Sequence, residues 1–180
     1  MVQTIRVDQV LRETVATPYR DLVTRATGAA VRGSIERAIL AEESLTTLLD
    51  FSMVGLVDFS CADEVVAKLL LGASLPAGHH LVLSGVREDH SEAIDHVLRH
   101  HELAILVADG AAGPCRFLGF LAADLAQALG EVFERGPLDV ATLANAAAWS
   151  LERAADVLNH LALLRLVQAD GFTYRPVPIA

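Results

Sequence analysis

Between Asp58 and Glu64 the chain reads Asp58-Phe59-Ser60-Cys61-Ala62-Asp63-Glu64, which puts a hydroxyl, a thiol and three carboxylates side by side. The segment follows two short apolar runs, one ending at Asp50-Phe51 and one at Asp58, and precedes a stretch with helical apolar spacing. A hydroxyl at a helix start faces unpaired backbone N–H groups and the positive end of the helix dipole. A phosphate there is well received and adds about 1.5 to 2 negative charges to the surface. On residue types alone Ser60 is expected to cap its helix, a phosphoacceptor role being the alternative. Asp58, Asp63 and Glu64 could act as paired acids, but acid–base work requires burial that drives their pKa values apart. Acids in a first helical turn are favoured by the dipole alone, and that is the expected role of Asp63 and Glu64, with partner contact second. Cys61 sits where a thiol pKa can fall, yet a small buried apolar role is expected of it.

Other constellations are weaker. His90, His96, His100 and His101 share one helical segment, with His96 and His100 four apart on one face, a metal-ligand spacing. Glu92 lies a further four residues back, but no His-Glu-x-x-His occurs and no third ligand is evident, so a solvated polar face is expected and no metal. No phosphate-cradling Gly-rich loop, nucleophile elbow or Cys-x-x-Cys pair is present. With no catalytic wording present, the chain is expected not to be an enzyme and to carry no cofactor. Near the C-terminus Arg153, Asn159, Tyr174 and Arg175 are the residues able to meet nucleic acid, on a helix and a hairpin.

Composition bounds these readings. The 180 residues are 53% hydrophobic and only 5% aromatic, enough for a sizeable core built from Leu, Val and Ala. The formal charge is −9, and residues 122–180 alone carry 4 Arg against 7 acids, so neither part is a basic module and DNA binding would need a local patch. Two cysteines make no disulfide framework, no signal-peptide core opens the chain, and no apolar run reaches the roughly 20 residues of a membrane span. A cytoplasmic protein, away from membranes, is expected.

Hydrophobic periodicity supplies the elements. Thr4 to Leu11 reads as a strand or extended arm, and Thr17-Pro18 breaks the chain. A helix is expected over 29–41 with Thr27 as cap, a buried strand over 45–51, a helix over 60–71 and a strand over 80–84. A helix over 88–101 and a strand over 103–107 follow. This alternation predicts an α/β domain built from crossover units. Residues 108–114, rich in Gly, Ala and Pro, read as a linker. Beyond it, a helix is expected over 117–133, a break at 135–137, a short helix over 139–147 and a helix over 151–164 capped by Ser150. Two strands then flank the Asp170-Gly171 turn.

The stretch Leu49-Asp50-Phe51-Ser52 followed by Asp58-Phe59-Ser60-Cys61 resembles the signature of the STAS domain, the fold of bacterial anti-sigma-factor antagonists. That signature is a strand ending Leu-Asp-Phe-Ser, five residues, then Asp-Ser-Ser-Gly at a helix start. Thr24-Arg25 and Arg32 upstream, and Cys61-Ala62-Asp63-Glu64, add to the likeness. It departs at Phe59, which holds the place of the usual acceptor serine, and at Cys61, which replaces glycine. The resemblance covers about residues 4–108 and implies a STAS-like α/β domain over 1–108, with 109–121 as linker and start of a helix. The helix, short helix, helix and hairpin of 122–180 are similar to bacterial winged-helix domains. Together these imply a partner-switching regulator. An ATP-binding, kinase-like protein would dock around Asp58, Ser60, Cys61, Asp63 and Glu64, phosphorylation of Ser60 would release it, and the C-terminal module would dimerise the chain or pass the signal on. The alternative is a DNA-binding transcription regulator with a STAS-like sensor.

Overall fold

The computed structural model describes residues 1–110 and 113–180, together with all side chains in them but those of Pro114 and Cys115. Ala111 and Ala112, inside the expected linker, and the Cys115 thiol lie outside the described residues. The order is β1 Val2–Arg6, α1 Val7–Val15, α2 Arg25–Ala41, β2 Thr46–Asp50, α3 Phe59–Ala62, a π-helical segment Asp63–Ala67, α4 Lys68–Leu71, β3 His80–Ser84, α5 Glu88–His100, β4 Ala104–Ala108 and β5 Pro114–Gly119. Then come α6 Ala123–Arg135, β6 Leu138–Asp139, α7 Val140–Ala147, α8 Leu151–Leu163, β7 Gln168–Asp170 and β8 Thr173–Arg175.

Five strands form one sheet in the order β1-β2-β3-β4-β5, with β1 to β4 parallel and β5 antiparallel at the edge. Each parallel strand is added beside the one before it, in the same direction. Right-handed crossovers in that order place every connecting helix on one face. Side-chain alternation agrees. Leu81, Leu83, Ile105 and Val107 point into a core with Leu11, Val31, Ile35, Val65, Leu69, Ile94 and Leu98. Val82, Leu106 and Ala108 point the other way, into a second core with Leu129, Val132, Leu143, Leu158 and Leu161. A parallel sheet needs both faces covered. The crossovers can supply only one cover here, and the segment from α6 to β8 supplies the other. Its small sheet has the order β6-β8-β7. No helix among the described residues is long and apolar enough to cross a membrane.

Three local expectations need correction. Thr4–Leu11 is not one extended piece: the strand ends at Arg6, and Val7 and Leu11, one helical turn apart, are both buried on the first turns of α1. Thr24, not Thr27, caps α2, its side chain accepting from the Thr27 N–H. The expected helix over 117–133 is instead the edge strand β5 followed by α6 from Ala123. Leu118 on β5 sits in the first core, and Gly119, at φ +102°, lets the strand pass against the Leu103 carbonyl where a Cβ would lie 2.0 Å from its oxygen.

Candidate functional site

The loop from Phe51 to Asp58 leaves the C-terminal end of β2 and is fastened on three sides. Phe51 N–H donates to Ser84 O at the end of β3, and Asp50 Oδ1 accepts from Ser52 N–H. Gly85 must be glycine here: its φ is +64°, and a Cβ would lie 2.6 Å from Ser52 N. From α5, the Arg87 guanidinium donates to Val54 O and Gly55 O, and buried His90 bonds Gly55 O at 2.7 Å. From the other side, Gly55 N–H and Leu56 N–H reach Arg20 O and Asp21 Oδ1, and Leu22 pairs with Val57 in a short parallel bridge. Segments 19–24 and 51–58 are thus one cross-linked surface.

Asp58 closes that surface onto the helix. It is the N-cap of α3, its Oδ1 accepting from Cys61 N–H at 2.7 Å and from the Ser60 hydroxyl at 2.8 Å, while Oδ2 accepts from Thr24 N–H at 3.0 Å. Burial alone would raise the Asp58 pKa, but these bonds outweigh it and hold the carboxyl below its ordinary value. Ser60 is therefore not the cap; it lies in the first turn as a donor to the cap. Thr24 carries an unusual backbone, φ +74° and ψ 139°, costly for a β-branched residue. Bonds through its N–H to Asp58, from the Cys61 thiol to its carbonyl at 3.0 Å and through its hydroxyl to Thr27 hold it there.

The remaining predicted residues separate by depth. Cys61 is fully buried, and desolvation, reinforced by the Asp58 charge, pushes its thiol up to about 12. At that burial it stays a thiol at neutral pH and packs in the core. Glu64 is also buried, yet three cations surround it: Arg25 at 2.9 Å, Arg32 at 3.4 Å and the Lys68 ammonium. Asp63 takes Arg25 at 2.7 Å and His101 at 2.8 Å. For both acids, burial raises the pKa, but the bonds from their basic partners outweigh it and leave each below its usual value. Asp63 and Glu64 sit in the π-helical segment, past the first turn, so their work is to tie α2 and α5 to this helix rather than to answer its dipole. Gly28 of α2 makes the contact close enough: a Cβ there would lie 2.9 Å from Glu64 Cβ.

A cleft of about 530 Å³ opens beside Ser60, lined by Arg25, Phe59, Asp63, His96, His100 and His101. The Phe59 ring lies 4.9 Å from that of His96, centroid to centroid. No histidine bonds Ser60 among the described residues, its proton going to Asp58. Among the described residues no group of three or more His, Cys, Asp or Glu is placed to hold a metal ion, and His96 and His100 serve ring contacts instead.

Sequence reasoning missed the apolar character of this surface. Tyr19, Val23 and Met53 are exposed, as are Leu56 (61%) and Phe59 (53%), all on the two cross-linked segments or the first residue of α3. The signal available was Phe59 itself, a large apolar residue in the first position after a capping Asp.

On the C-terminal side, Asn159 Oδ1 accepts from the Tyr174 hydroxyl at 2.6 Å, fastening the hairpin to α8. Arg153 lies over the Trp149 ring at 4.5 Å, and Arg175 bonds Asp170 at 3.0 Å and Gln168 at 3.2 Å. In comparisons with known proteins, no family model matches the chain and no curated protein matches it.

Proposed function

We propose that the chain is a regulatory protein-interaction module whose partner docks on the surface around Ser60, with phosphorylation of Ser60 as the release. The observation that carries this reading is the exposed apolar set Tyr19, Val23, Met53, Leu56 and Phe59, held on two mutually bonded loops that end at the Asp58 cap. Several large apolar side chains exposed on two segments that are bonded to one another suit protein contact. Ser60 lies at its margin, half-buried and part of the cleft lining. A phosphoryl group on that oxygen removes the proton now given to Asp58 and sets a dianion beside a carboxylate. Repulsion turns it toward Arg25, His96 and His100, and about 1.5 to 2 added charges oppose an apolar partner. The STAS resemblance supports an ATP-binding, kinase-like protein as that partner and phosphate donor.

The C-terminal module supports a second reading. Its order, helix, strand, helix, helix and hairpin with the sheet β6-β8-β7, suits a winged helix, the layout of many DNA readers. The side chains favour protein contact: Asn159, Tyr174, Arg153 and Arg175 are engaged within the module, and the outward face of α8 shows Glu152 and Asp156.

The test is capture from host lysate, nuclease-treated and untreated, on immobilised wild type, Ser60→Asp and Leu56→Ser, followed by elution from an ATP resin. An ATP-binding protein held by wild type and lost by both variants is expected. Capture indifferent to both substitutions, or dependent on intact DNA, overturns the reading.

A further inference from the structure

We infer that the groove between the first turns of α7 and α8 and the tip of the β7–β8 hairpin binds a cationic amphipathic segment of a partner protein, one large apolar side chain seating against Leu151 and Phe172. This inference does not rest on the Ser60 reading, since the groove lies on the C-terminal module, which covers the opposite face of the main sheet.

The groove encloses about 480 Å³, with Val140, Ala141 and Ala155 among its lining and Leu151 and Phe172 beside them. Leu151 is 62% exposed and Phe172 92% exposed, although each follows a residue committed to structure, the Ser150 cap and the Gly171 turn. Two large apolar side chains left in water beside an apolar hollow mark a contact surface more than a packing need. The hollow has room for the apolar anchor of a helix laid into the groove.

Charge selects the occupant. The lining holds two carboxylates, Asp139 and Glu152, and no cation. Asp156 is exposed one turn further along α8. The two helix starts add roughly half a positive charge each, less than the two carboxylates, and the Thr142 N–H of α7 is already taken by Asp139 and the Arg153 N–H of α8 by Ser150. The nearby arginines are drawn off, Arg153 over Trp149 and Arg175 onto Asp170. A second copy of this chain would bring the same carboxylates face to face, and a nucleic acid would bring phosphates to them. Basic side chains flanking an apolar anchor complement the rim.

The experiment uses the full chain and a defined probe, an 18-residue synthetic peptide of Leu and Lys patterned as an amphipathic helix, with a matched peptide carrying Glu for Lys. Amide chemical shifts are followed by NMR and affinity by fluorescence anisotropy. The expected result is shifts confined to 139–141, 151–156 and 170–174, with affinity for the Lys peptide falling about tenfold or more on Phe172→Ser and on Glu152→Lys. Both positions are exposed, and an unchanged amide spectrum away from the groove shows that the variants remain folded. Shifts scattered over the acidic surface, affinity unchanged by Phe172→Ser, equal binding of the Glu peptide, or a groove closed by dimerisation without peptide each overturns the inference.

Discussion

Replacing Asp58 by alanine removes one carboxylate that serves three donors: Cys61 N–H, the Ser60 hydroxyl and Thr24 N–H. Loss of an N-cap costs about 1 kcal/mol. The bond to Thr24 is charge-assisted but lies at an exposed residue, where water can take the donor, so it adds about 1 to 2 kcal/mol. The sum, about 2 to 3 kcal/mol, corresponds in a chain of this size to a fall of about 5 to 10 °C in Tm. Asp58→Asn keeps the capping geometry without the charge and should fall between wild type and alanine. The Asp58 pKa is depressed in the fold, so its stabilisation is present above the unfolded value, near 4, and is lost as pH falls through the folded one. Urea unfolding at pH 7 should therefore show the full gap between wild type and Asp58→Ala, and the gap should shrink below about pH 4. A difference under about 0.5 kcal/mol at pH 7, or a gap that widens in acid, would refute the claim that this carboxylate organises the site.

Gly28→Val forces a branched side chain against Glu64 and Cys61 and should destabilise by about 1 to 3 kcal/mol in thermal unfolding, whereas Gly33→Ala on the same helix, with only the flexible Arg37 tip near it, should stabilise by about 0.5 to 1 kcal/mol. In a Cys115→Ser background, Cys61 should resist a thiol reagent at pH 8 until the chain unfolds, because its pKa stands at about 12; rapid native labelling would contradict its burial. Burial lowers the pKa of His79 and His80, with nearby Arg165 adding to the effect, so both fold as neutral rings. Their contribution is complete above the unfolded value near 6.5 and declines as pH falls below it, so the urea midpoint should drop between pH 7 and pH 5, and His80→Gln should flatten that slope.

The regular alternation of β2, β3 and β4 with their crossover helices is readable because these strands are buried on both faces and their apolar runs are unbroken. The edge strand β5 is not: Phe117, Leu118 and the Ala-rich run after them merge into one apparent helical stretch, and only the antiparallel pairing with β4 separates them. The start of α1 is hidden for a similar reason, since Thr4 to Leu11 fits alternation loosely while Val7 and Leu11 answer to a helical core face. At the site, the cluster Asp58 to Glu64 stands out from residue types alone. Which member caps, which is buried and which meets the cleft depends on Thr24, Arg25, Arg32 and His101, brought in from other elements. The exposure of Tyr19, Met53 and Leu56 is a consequence of the loop-to-loop bonding, which no local pattern encodes.

The most direct test of the central claim is hydrogen–deuterium exchange on the full chain, alone and saturated with the purified ATP-binding protein recovered by capture. Docking around Ser60 predicts added protection in residues 19–25 and 51–63, abolished when the chain carries phosphate on Ser60. Protection confined to 139–175, or unchanged by phosphorylation, would contradict it.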